Sequence, residues 1–347
     1  MNSRQRTLTA LCREPVDRAP VCNPTSVATL GLMDLAGAPF PDAHRDPELM
    51  ARLGAAGYTE LGFDCIMPVF SVVQESAALG CGIEWGEKDY FPAVKMREPI
   101  WQEPEDIRIP PDFLGRPETR CVLEAIRILK KRFGDEVAVI GKTIGPWTLG
   151  YHCFGIEPFL LMSADDPGKT RLCLDKLKEA TVRFGLAQIE AGADALTLPD
   201  HATGDMVSAA YYARFLRDLH AEFAERLPVP LILHICGRTL DRMEYIARTG
   251  MAAFHFDSKN PPREAVRIAG NRIALVGSIN NPVTLLRGTR EDVRREVYEN
   301  LEAGVPLIGP ECAVPLATPN ENLREIRLAV EDWGRRPAEA GPGVCTF

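Results

Sequence analysis

No stretch of the 347-residue sequence reaches the roughly 18 consecutive apolar residues that a membrane-spanning helix needs. The opening MNSRQRTLTALCREP lacks the apolar core of a secretory signal, so a cytoplasmic location and no membrane partner are expected. Basic side chains never cluster densely enough to track a phosphate backbone. With 48 acidic against 40 basic residues the formal net charge is −8, which argues against nucleic acid as a partner. No Gly-x-Gly-x-x-Gly follows a strand-like run, and no Gly-rich loop ends in Lys-Ser or Lys-Thr. Dinucleotide and nucleoside triphosphate chemistry therefore has no support. Internal repeats and low-complexity linkers are also missing.

What is present is an ordinary globular composition, 46% hydrophobic and 25% charged. The length suits one large α/β domain or two average ones. Ten cysteines are scattered from Cys12 to Cys345 rather than grouped. Without an export signal they read as mostly small buried hydrophobes in a reducing compartment, where a thiolate site survives.

Short apolar, β-branched runs alternate with longer amphipathic stretches, the pattern of parallel βα units. The expected strands are 20–23, 65–69, 137–143, 195–199, 229–236, 252–257, 273–278 and 306–309. Eight such strands are what a closed (β/α)8 TIM barrel requires. Helices are expected at 167–190, 208–225 and 291–303, the last after Thr289 and with acidic residues in its first turn. Residues 1–118 read as helical and irregular decoration of one barrel domain spanning 1–347, and 335–347 as a flexible tail rich in Pro and Gly.

In the run Val229-Pro-Leu-Ile-Leu-His-Ile-Cys-Gly, strand alternation puts Ile232, His234 and Cys236 on one face. Both polar residues would then emerge at the C-terminal end of a barrel strand, where barrel enzymes build their sites. Cys312 follows the last expected strand, in Leu307-Ile-Gly-Pro-Glu-Cys, at that same end. A His/Cys/Cys set suits zinc, and three protein ligands leave one position open for a substrate. The plainer alternative is packing, because His-x-Cys on a strand is common without a metal.

Longer motifs add a resemblance. His234-Ile-Cys-Gly-Arg-Thr, Gly270-Asn-Arg-Ile-Ala-Leu-Val-Gly-Ser-Ile-Asn-Asn-Pro and Gly309-Pro-Glu-Cys-Ala-Val-Pro-Leu-Ala-Thr-Pro-Asn-Glu-Asn are similar to the uroporphyrinogen decarboxylase superfamily. More closely they resemble its corrinoid-dependent methyltransferase branch, typified by methylcobamide:coenzyme M methyltransferases. Ala43-His-Arg-Asp-Pro-Glu-Leu-Met-Ala and Val73-Gln-Glu-Ser-Ala-Ala-Leu-Gly-Cys agree, so the likeness covers most of the chain. The decarboxylases carry an Arg-rich N-terminal motif with an essential Asp. Here that stretch is Asn23-Pro-Thr-Ser-Val-Ala-Thr-Leu-Gly, without arginine.

The resemblance implies a zinc site of His234, Cys236 and Cys312 that activates a small thiol, such as coenzyme M, as a thiolate. The thiolate would exchange a methyl group with a methylcobalamin-type corrinoid. Transfer from a methyl donor to the corrinoid, or to tetrahydrofolate, is the alternative. No Asp-x-His-x-x-Gly element is present, so the corrinoid is expected on a separate partner protein. A fourth resting ligand would be water or a nearby acid, with Asp257 the first candidate and His255 the second. For Asp257 the alternative is a loop or helix cap. Glu75, Trp147, Asp200, His201 and Asn280, with Asn281, are expected to bind substrate or cofactor or to orient ligands. Turn formation is the rival role for the asparagines and rim packing for Trp147. Glu311 reads as a solvated neighbour of Cys312, and His44, His152 and His220 as structural or surface residues.

Overall fold

The computed structural model describes residues 1–336. Of the expected tail 335–347, only Arg335 and Arg336 fall among the described residues. The strands in chain order are β1 (Cys65–Ile66), β2 (Ile83–Glu84), β3 (Ala93–Val94), β4 (Ala138–Lys142), β5 (Ala195–Pro199), β6 (Leu231–Ile235), β7 (Ala253–Phe256), β8 (Ala274–Ile279) and β9 (Leu307–Pro310). Seven of them form one sheet in the order β1-β4-β5-β6-β7-β8-β9, and every neighbouring pair is parallel. β2 and β3 make a separate antiparallel pair in the N-terminal third.

The ring closes through residues 20–22. Cys22 N–H donates to the Ile308 carbonyl at 2.8 Å and Ile308 N–H to the Pro20 carbonyl at 3.0 Å. On its other side Asp64 N–H donates to the Val21 carbonyl at 2.7 Å. These residues are the eighth stave, so the fold is the expected (β/α)8 barrel. The stave is shorter than the strand expected at 20–23, amounting to one bridge at Val21. Pro20 and Pro24 flank it and supply no N–H to extend the ladder. Pro68 likewise limits the run expected at 65–69 to β1, and Pro230 delays the start of β6. Closure also depends on Gly309, where a Cβ would fall 1.8 Å from the Cys22 carbonyl oxygen.

The barrel strands are buried throughout on both faces, as parallel sheets covered by helices must be. Helix Pro167–Ala191 starts where the Asp166 side chain accepts from Lys169 N–H. Helix Arg290–Ala303 starts on a Thr289–Asp292 capping box. The helix expected at 208–225 is two, Ala209–Phe215 and Arg217–Arg226, with Ser208 capping the first. The N-terminal third packs helices Ser3–Leu11, Leu30–Ala36, Pro47–Thr59 and Gln74–Leu79 around the first staves. At the strand N-terminal end the fully buried Asp64 gathers Arg6, Arg18 and Arg327 at 2.9, 2.8 and 3.3 Å. No helix among the described residues is long and apolar enough to cross a membrane.

Candidate metal centre

β6 runs inward with Ile232 and His234 on one face, and Cys236 continues that face just past its end. His234 Nδ1 donates to the His255 carbonyl of β7 at 3.1 Å. Its Nε2 is thereby turned toward two sulfurs, 3.0 Å from Cys236 Sγ and 3.3 Å from Cys312 Sγ. The two sulfurs lie 3.3 Å apart. Among the described residues this is the only group of three or more His, Cys, Asp or Glu donors that converge, all within 4.8 Å of one another. His234 is buried, and both cysteines are half-buried, so the donor set is reachable from the mouth.

The surrounding residues hold that set in place. Gly237, with φ of 78°, turns the chain sharply after Cys236, and a Cβ there would meet Thr203 Oγ1 at 2.4 Å. Asp257 Oδ2 accepts from Gly237 N–H at 2.8 Å and its Oδ1 from Lys259 N–H at 2.9 Å. Asp257 thus lies outside the convergent group, and its contacts are those of a loop cap. Asn260 donates to the Gly237 carbonyl and accepts from Thr239 N–H, closing the same loop. On the opposite side Asn23 Nδ2 donates to the Cys312 carbonyl at 3.0 Å.

Glu311 is buried rather than solvated. Its carboxylate accepts from Ser258 N–H at 3.0 Å and Asn281 N–H at 2.8 Å, joining the loops that follow β7, β8 and β9. Burial raises its pKa. Cys312 is held well below the usual thiol range, first by the hydrogen bond with Cys236 and then by His234.

The other expected mouth residues divide. His255 stacks on His234 with ring centroids 4.6 Å apart, and its Nε2 donates to the Pro310 carbonyl at 2.8 Å. Burial pulls its pKa down to about 3. His201 is half-buried, its backbone N–H donates to Thr148 Oγ1, and its pKa is lowered by burial and then by His234. Asp200 is fully enclosed, taken up by Thr148 and by His220, whose Nδ1 meets the Tyr212 hydroxyl. Trp147 is also enclosed. Its Nε1 donates to the Tyr151 hydroxyl, and its ring packs on Phe159 and Phe215, so it has the packing role. Asn280 caps the turn at Val283 and donates to Ser258 Oγ, the turn-forming role. Glu75 is buried with Oε1 accepting from Ile144 N–H at 2.7 Å, and burial pushes its pKa up to about 7. His44 and His152 are buried, as structural residues are.

Lys142, at the end of β4, is a buried charged residue inside the barrel that the sequence pattern did not single out. Gly141 faces the helix Pro167–Ala191, where a Cβ would meet Gln188 at 2.6 Å, so Lys142 points the other way, into the barrel. Its Nζ donates to the Thr25 carbonyl at 2.8 Å. The available signal was one charged residue closing the otherwise apolar run Val137-Ala-Val-Ile-Gly-Lys.

The donor chemistry fits a borderline metal such as zinc. Two sulfurs and an imidazole nitrogen converge, and the nitrogen's ring is fixed by a backbone carbonyl on its far side. Tetrahedral zinc, with Zn–S near about 2.3 Å, would ask the three donors to spread by only a few tenths of an ångström.

Fold and donor set together define a barrel enzyme whose strand C-terminal mouth carries a metal-competent His/Cys/Cys cluster. The chain belongs to the uroporphyrinogen decarboxylase (URO-D) family, whose description matches residues 2–333. Within that family it sides with the corrinoid-dependent methyltransferases. It is 32% identical to a methylcobamide:CoM methyltransferase of Methanosarcina barkeri, over 95% of this chain and 98% of that one. It is also 32% identical to a methylated-thiol–coenzyme M methyltransferase of Methanosarcina mazei, over 96% and 90% of the two chains. A solved methyltransferase from Methanosarcina mazei superposes with a TM-score of 0.93 at 31% identity, covering 96% of this chain and 99% of its own.

Proposed function

We propose that the chain is a zinc-dependent methyltransferase that exchanges a methyl group between a corrinoid, carried by a separate protein, and a small thiol such as coenzyme M. The observation that carries this reading is the convergence of His234 Nε2, Cys236 Sγ and Cys312 Sγ at an accessible barrel mouth. The methyltransferase relatives, matched over nearly their whole length, support it.

Zinc bound there would lower the pKa of a thiol entering the fourth position, so that a nucleophile exists at neutral pH. The protein's own work is positional. His234 is fixed by the His255 carbonyl, Cys236 by the Asp257-held turn, and Cys312 by Asn23 and Glu311. A thiolate sulfur so placed uses a lone pair to form the S–CH3 bond, while the cobalt–carbon bond of the substrate breaks and its electron pair stays on cobalt as Co(I). The decarboxylase alternative finds no arginine at 23–31. Asn23, in that stretch, instead supports the sulfur site. A methylated-thiol relative makes demethylation of a thioether by the same site the second reading.

The test is metal analysis beside methyl transfer from methylcobalamin to thiols, followed by the cobalamin spectrum. We expect about one zinc per chain and thiol-dependent demethylation, both lost in Cys236→Ala. A wild-type protein without zinc, or a variant of full zinc affinity, sinks the mechanism.

A further inference from the structure

Away from the metal centre a second pair of sulfurs meets. Cys81 Sγ lies 3.7 Å from Cys153 Sγ, and the Cys81 thiol also reaches the His152 carbonyl at 3.6 Å. The pair joins two elements that follow β1 and β4 at the strand C-terminal end. Cys81 comes just after the helix Gln74–Leu79, and Cys153 sits in the last turn of the helix Pro146–Phe154. These helices already touch, with Ser76 Oγ 2.7 Å from His152 Nδ1 and Glu75 accepting from Ile144 N–H just ahead of the second helix. The Cys153 carbonyl accepts from Ile100 N–H at 2.9 Å and Trp101 N–H at 3.3 Å, so a third segment is tied to the same spot.

The two thiols differ in access. Cys81 is 7% exposed and Cys153 fully enclosed, and burial, then contact with Cys81, pushes the Cys153 thiol up. So narrow an opening suits an oxidant little larger than water, because thiol exchange with a bulky disulfide demands far more access. A disulfide needs about 2.0 Å between its sulfurs, so the pair must close by about 1.7 Å. Cys81 stands between Gly80 and Gly82. Gly80 has φ of 112° and nothing within 4 Å of where a Cβ would lie, so the movement falls on backbone with room to make it.

We propose that Cys81 and Cys153 form a reversible redox modification site, which a small peroxide closes to a disulfide and a dithiol reductant reopens. The exposed Cys81 sulfur attacks one oxygen of hydrogen peroxide. An S–O bond forms, the O–O bond breaks, and the leaving hydroxide takes the thiol proton and departs as water. The Cys153 sulfur then attacks the resulting sulfenic sulfur. The S–S bond forms, the S–O bond breaks, and a second water leaves with the Cys153 proton. Two thiols are thereby oxidised by two electrons and the peroxide is reduced to two waters. The bond staples the helix Pro146–Phe154 to a segment 72 positions earlier and uses none of the metal-centre donors. In a reducing compartment such a bond is transient, as redox-sensing disulfides are. The competing account is plain packing of two small buried thiols, whose sulfurs never join.

The experiment treats the full chain, as wild type, Cys81→Ala and Cys153→Ala, with hydrogen peroxide under native conditions. Each protein is then unfolded in N-ethylmaleimide and its peptides are mapped by mass spectrometry without reductant. In wild type the peptides carrying Cys81 and Cys153 should appear joined, and dithiothreitol should part them. In Cys153→Ala, Cys81 should stop at the sulfenic acid, trapped by dimedone, while in Cys81→Ala the Cys153 thiol should survive. The linked wild type should melt about 5 °C higher than the reduced protein, since the bond constrains the unfolded chain. Recovery of both cysteines as maleimide adducts while exposed Cys12 is oxidised overturns the site. So does Cys81 joined to a different cysteine, a link that forms equally in urea, or a linked protein that melts lower than the reduced one. The wild-type peptide map decides the matter even if a variant fails to fold.

Discussion

Asn23 and Cys312 are 289 residues apart in sequence, yet the Asn23 side-chain amide donates to the Cys312 carbonyl at 3.0 Å. The same amide donates to the Ser26 carbonyl, and its oxygen accepts from Thr25, so the asparagine is fully committed and has one orientation. Asn23→Ala removes the brace without removing a ligand. Zinc affinity should fall about 10–100-fold, measured by competition with a chromophoric chelator. An unchanged affinity would show that Cys312 is held by other contacts.

The turn at Gly237 makes a sharper demand on the site. In Gly237→Ala the new methyl meets Thr203 Oγ1 in a backbone conformation that alanine resists, with φ of 78°. Because Cys236 is the preceding residue, zinc affinity should drop by at least about tenfold while most of the fold survives. Adding Thr203→Ala should restore part of the affinity, since it relieves the collision but not the strain. No improvement in the double variant would put the whole effect on the backbone.

Asp64 stands at the other end of the barrel, inaccessible and holding Arg6, Arg18 and Arg327. Its removal leaves buried guanidinium groups without their anion. Asp64→Ala should cost about 3–5 kcal/mol in denaturant unfolding, with little change in the zinc affinity of the protein that remains folded. A loss below about 1 kcal/mol would mean that water or the neighbouring carboxylates replace it.

His44 predicts a pH effect. Both its ring nitrogens lack partners, its ring lies 4.0 Å from that of Phe40, and burial lowers its pKa to about 3 from 6.5. Below the unfolded value the unfolded chain takes up a proton that the folded chain refuses, so stability falls as pH drops from 6.5 toward 3. The slope from this one group approaches about 1.4 kcal/mol per pH unit in the middle of that window. His44→Phe should flatten the acid limb of the stability profile relative to wild type. Parallel acid limbs would show that His44 is not among the groups responsible.

The barrel was legible in the sequence because each stave is a short apolar run bounded by turn residues, and all eight runs find a place in the ring. Lengths were harder to read wherever proline entered a run, as at Pro20, Pro68 and Pro230, because a missing N–H ends a ladder without changing hydropathy. His234 and Cys236 declared themselves by strand alternation, and Cys312 by following another strand end. Their supports did not. Asn23 and Glu311 act through bonds to loops far away in sequence, and nothing in their local composition points to those partners. Asp200 and Trp147 sat at the expected end of the barrel, yet both are enclosed: Trp147 belongs to the helix Pro146–Phe154 that follows β4, and Thr148 of that helix takes up Asp200. Strand position alone does not distinguish a wall from its lining.

Closure at Gly309 also bears on the order in which the protein is made. Residues 20–22 cannot complete the ring until 307–310 arrive, and Cys312 comes two residues after that stave. During synthesis, about nine-tenths of the chain must therefore exist before the second sulfur can meet the first, at roughly 5–20 residues per second. Until then His234 and Cys236 form only a two-point grip on any metal ion, and Lys142 stands inside an open cylinder.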